Sequence, residues 1–77
     1  MQKKMICKVL KQELDKDFTD VEITGSNEVS VRTCDGERKV LWHDAGGNKV
    51  AYEVYNENAA FVKGTNKLYE AVSAVSM

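Results

Sequence analysis

The chain has no proline, and cysteine, histidine and tryptophan are scarce, at two, one and one among 77 residues. Two cysteines 27 positions apart, Cys7 and Cys34, are too few for the disulfide framework of a small secreted domain, which usually carries four or more. A reduced, cytoplasmic setting is therefore expected. No stretch approaches the ~18 apolar residues of a membrane span, and Lys8 and Lys11 interrupt the N-terminal segment before it reaches the length of a signal peptide. No membrane role is expected. Charge of one sign is missing too: Lys and Arg number 11 against 12 Asp and Glu, a net −1. That balance gives neither a general attraction to polyanions nor the acidity of a DNA mimic. Linkers, repeats and low-complexity tracts are likewise absent.

What is present is enough to fold. Hydrophobic residues make up 43%, above the range in which chains stay disordered. The length allows one small core, so residues 1–77 read as a single domain.

Residues 2–17 read as a helix, since Ile6, Leu10 and Leu14 recur at i, i+4 and i+8 while Lys4, Lys8, Lys11 and Asp15 occupy the other side. After Phe18 the period falls from 3.6 to 2. Val21 and Ile23 alternate with Glu22 and Thr24, Gly25-Ser26-Asn27 makes a turn, and Val29 and Val31 alternate with Ser30 and Arg32. Asp35-Gly36 suits the tip of a type I′ hairpin, a register that sets Cys34 against Glu37, Val31 against Val40 and Val29 against Trp42. A three-residue loop at Ala45-Gly46-Gly47 then sets Trp42 against Val50 and Val40 against Tyr52, with strand four from Lys49 to Tyr55. Val29, Val31, Val40 and Trp42 share the core face, Trp42 as an anchor.

The last segment carries Phe61, Thr65, Leu68, Val72 and Val75 at helical spacing, with Asn56 or Asn58 as the cap. A short strand over 59–62 followed by a helix from Asn66 is the alternative, because Gly64 weakens a continuous helix by roughly 1 kcal/mol. The predicted fold is α+β in the order α-β-β-β-β-α. Its antiparallel four-stranded meander carries two helices on one face.

Cys34, Asp35, His43 and Asp44 are the residues with the chemistry for nucleophilic or metal work. The register separates them: at ~3.3 Å per strand residue, Cys34 and His43 stand roughly 20 Å apart, beyond the reach of a base for a thiol. Two cysteines and one histidine match no closed zinc set. Gly46-Gly47 precedes a strand, unlike the glycines of a phosphate loop. No enzyme activity, metal or cofactor is expected.

Lys4, Lys8 and Lys11 form the one stripe that could lie along phosphates, although the acidic run from Glu13 to Glu22 follows it. In the order helix, strands, helix, and in length, the chain resembles the double-stranded-RNA-binding domain in topology alone. The resemblance implies contacts through the polar side of the first helix, the turn at Gly25-Ser26-Asn27, and Lys63 and Lys67. That family has three strands where this sequence reads as four.

On the outer face of the sheet the same register sets Leu41 against Ala51 and Lys39 against Glu53, with Ser30 beside Leu41 and with His43 and Tyr55 at opposite ends. Leu41, Ala51, His43 and Tyr55 thus make a modest apolar patch rimmed by charge, of the kind used in protein association. The strand edges Val21–Thr24 and Val50–Tyr55 offer strand addition as a second route. The function expected is a non-catalytic module that binds another protein, or itself as a homodimer. Short chains of this class are often accessory inhibitors or adaptors of phages and other mobile elements. Nucleic-acid binding through the three lysines is the alternative.

Overall fold

A computed structural model describes residues 3–77. The helical stripe around Ile6 forms a 3₁₀ turn at Lys3–Met5 that runs into helix α1, Ile6–Leu14. Residue 2 of the expected helix lies outside the described residues. The helix stops short of the expected 17. Asp15 and Asp17 oppose the C-terminal dipole, and the chain turns after Leu14 so that Phe18 packs against the core. No side chain caps α1 at its start, so it is held by what it buries: Ile6, Leu10 and Leu14 are fully enclosed.

Strands β1 (Val21–Gly25), β2 (Glu28–Thr33), β3 (Gly36–Asp44), β4 (Val50–Tyr55) and β5 (Phe61–Thr65) follow, then helix α2 (Leu68–Val75). The sheet is an antiparallel meander in the order β1-β2-β3-β4-β5. Five strands replace the four expected, which widens the departure from the three-stranded family. The extra strand comes from the segment expected to be helical. Asn56 does not cap a helix there: its side-chain oxygen accepts from the N–H groups of Asn58 and Ala60 and shapes the β4–β5 loop. The alternative of a short strand before a later helix is nearer the structure, but the strand lies at 61–65 rather than 59–62. Thr65 sets the start of α2, its hydroxyl accepting from the Lys67 N–H and donating to Glu70.

Both hairpin registers shift by two residues from those expected. In the β2–β3 hairpin the tip is Cys34-Asp35, Thr33 pairs with Gly36 and Val29 with Val40. The Thr33 hydroxyl decides this by accepting from the Asp35 N–H at 3.2 Å and donating to the Gly36 carbonyl at 2.9 Å. Gly36 alone then takes the positive φ, 132°, in place of the Asp-Gly pair of a type I′ turn. Between β3 and β4 the loop is 45–49, so Trp42 pairs with Tyr52 and Val40 with Val54. Because each shift is even, every side chain keeps its face.

The expected core face therefore survives with new neighbours. Val29, Val31, Val40, Trp42, Tyr52 and Val54 meet Ile6, Cys7, Leu10 and Leu14 of α1 and Ala71, Ala74 and Val75 of α2. Trp42 is the anchor expected, its indole N–H donating to the buried Cys7 sulfur at 3.1 Å. The thiol in turn donates to the Ser26 carbonyl at 3.4 Å. Helix α1 lies against β1 and β2, and α2 against β3, β4 and β5. Both helices occupy one side, which leaves the other side of the sheet uncovered among the described residues.

Candidate functional site on the outer sheet face

The strand registers lay out the uncovered face as rows of side chains running across the sheet. One row is Glu28, Leu41 and Glu53, and the next is Ser30, Lys39 and Tyr55. Arg32 and Glu37 follow on one side, and His43 with Ala51 on the other. Leu41, Ala51, His43 and Tyr55 do share this face, but their pairings differ from those expected. Leu41 stands between two glutamates rather than opposite Ala51, and Ala51 faces His43. Lys39 is opposite Tyr55, not Glu53, and its ammonium is 3.8 Å from Glu28. Leu41, Ala51 and Tyr55 are half-buried; His43 is exposed and farthest from the glutamate-rich centre.

Between these rows and the β4–β5 loop lies a hollow of about 550 Å³. Leu41, Tyr55, Lys39, Glu28, Glu37 and Glu57 line it. Ala59, in the left-handed region at φ 61°, closes the loop side. At the other flank of Tyr55 the Phe61 ring stacks edge-on, centroids 5.8 Å apart, and lies over Gly64.

Two carboxylates that line the hollow, Glu37 and Glu57, are held in place by hydrogen bonds. The Ser30 hydroxyl donates to Glu37, which holds that carboxyl below the usual range, and Arg32 and Lys39 add to the effect. Glu57 is likewise lowered by Arg38, whose guanidinium reaches it at 2.8 Å from the core side. Arg38 also donates to the Val75 carbonyl at the end of α2, so one side chain ties β3, the β4–β5 loop and the helix together. Tyr55 donates its hydroxyl to Glu53 at 3.1 Å, and this bond raises the phenol above its ordinary value.

Glu28 and Glu37 were legible as outward positions of alternating strands. Glu57 and Ala59 were not, because they belong to a hairpin loop in a stretch with helical spacing. The edges also change: β5 covers β4, so β1 and β5 are the free edges rather than β1 and β4.

The remaining candidates stay apart. Cys34 is exposed at the β2–β3 tip and His43 is near the far end of β3. Among the described residues no group of three or more His, Cys, Asp or Glu side chains could hold a metal, and no helix is long and apolar enough to cross a membrane. Lys4 and Lys8 are exposed on the helix layer, while Lys11 is bound to Asp15 at 2.8 Å. Comparison with family models, with curated proteins and with solved structures finds no match.

Proposed function

We propose that the protein is a non-catalytic module that takes another protein on its outer sheet face, working as an accessory inhibitor or adaptor. The observation that carries this reading is the hollow itself. Both helices pack on the opposite side, and the open side is a shaped surface with half-buried Leu41 and Tyr55 at its centre and charged groups around them. Interfaces of moderate affinity are built this way, an apolar centre within a polar rim. The side chains that would catalyse are dispersed instead of convergent.

The test is capture from source lysate with the wild type beside Leu41→Glu, with circular dichroism to verify that the variant folds. A protein retained after nuclease treatment and lost with Leu41→Glu supports the reading. A second reading, nucleic-acid binding, rests on exposed Lys4 and Lys8 beside Lys11. It predicts that capture disappears with nuclease, or with all three lysines changed to glutamate, and that affinity falls steeply with salt.

A further inference from the structure

The net charge of −1 hides an excess of carboxylates on one face of the sheet. On the outer face the strands present four carboxylates, Glu22, Glu28, Glu37 and Glu53, against two cations, Arg32 and Lys39. Glu57 also lines the hollow, its charge met by Arg38 at 2.8 Å. The helix layer is close to balance, with Lys4, Lys8, Lys11, Lys16 and Lys67 against Glu13, Asp15, Asp17 and Glu70. The outer face thus attracts cations and repels polyanions, which argues against nucleic acid there. A second copy docking by two-fold symmetry would bring two net-negative faces together, which opposes self-association through the same face.

The hollow narrows the chemistry further. Its lining sets the apolar side chain of Leu41 and the ring of Tyr55 beside three glutamates, Glu28, Glu37 and Glu57. Lysine and arginine are the side chains with that arrangement in reverse, a methylene stem ending in a cation. Lys39 of the same lining already brings its ammonium to 3.8 Å from Glu28.

We propose that the occupant of the hollow is a basic stretch of the partner protein. One lysine or arginine of that stretch lays its stem across Leu41 and Tyr55 and directs its cation to Glu37 and Glu28. This inference rests on the reading of the outer face as a protein-binding surface, and it adds the chemistry of the partner.

The experiment is selection of a random twelve-residue peptide library on the full chain, with counter-selection on Leu41→Glu. Leu41→Ser serves as a second, uncharged disruption, and circular dichroism verifies each fold. Peptides that depend on Leu41 should be enriched in lysine or arginine next to an apolar residue. Their affinity, read by fluorescence anisotropy, should fall about tenfold in the Glu28→Gln, Glu37→Gln double variant and should weaken with salt. Both amides still accept the hydroxyl bonds of Thr24 and Ser30, so the change is in charge. Leu41-dependent peptides that are neutral or acidic would overturn the inference and leave the face reading standing. No Leu41-dependent peptide at all would overturn both. A dimer found by sedimentation and dissolved by Leu41→Glu would seat a second copy on the face and also overturn it.

Discussion

Two glycines show how much of a residue's role depends on what stands opposite it. Gly36 takes a φ of 132°, and a Cβ there would sit 3.2 Å from the Cβ of Glu57. Neither the backbone nor the neighbour can yield easily, because Glu57 is held by Arg38. Gly64 would also gain a contact of 3.2 Å, but with the ring tip of Phe61, a side chain 59% exposed and able to swing outward. Gly36→Ala should therefore destabilise by about 1–3 kcal/mol, and Gly64→Ala by clearly less, as read from urea midpoints at constant slope. Equal losses would mean that Phe61 is fixed in place. At the same scale, Leu10 is fully enclosed, so Leu10→Ala should cost about 2–5 kcal/mol in the same measurement.

At the scale of elements, the turns chose the registers and the charges fastened the ends. Thr33 makes two bonds across the β2–β3 tip. Thr33→Val keeps the β-branched shape but loses both, and should cost about 1 kcal/mol in thermal or urea unfolding. The β4–β5 loop and the C-terminus of α2 meet at Arg38, where the cation also suits the helix dipole. Glu57 is held below 4.5 in the folded chain by that guanidinium. A carboxyl with a depressed folded value contributes stability that is fully present above 4.5 and is lost as the pH falls through the folded value. The urea midpoints of wild type and Glu57→Gln should thus differ at neutral pH and converge once the pH has fallen below the lowered folded value of Glu57. A gap that persists in acid would assign the role of Glu57 to packing.

At the scale of the whole molecule, one sheet face builds the core and the other is uncovered among the described residues. Leu41 lies on the latter, so Leu41→Glu should leave the circular dichroism spectrum and unfolding cooperativity intact while abolishing association. Loss of folding instead would place Leu41 in the stabilising structure. The outer face also carries an excess of carboxylates, which an overall balance of 11 against 12 conceals. Averages over a chain report nothing of how strands sort charges onto one face. The outer position of Leu41, Ala51, His43 and Tyr55 was legible because alternation with period two assigns faces whatever the pairing. Which of them stand together was not legible, since that depends on register, and register was decided by a threonine hydroxyl and a five-residue loop.

Alternation and helical spacing by themselves determined helix α1, the first four strands, the apolar face that would be buried and the anchoring role of Trp42. These are local properties, governed by how successive side chains point along a helix or a strand. Tertiary structure alone decided residues 61–65. Their spacing suits a helix, but the exposed edge of β4 offers a row of backbone partners. Gly64 and the loop shaped by Asn56 let the chain reach them as a strand. The hollow is a product of that same decision, because the turn into β5 brings Glu57 and Ala59 over Leu41 and Tyr55. Hydrogen bonds between segments distant in sequence have no periodicity to announce them, and the candidate site is made where they form.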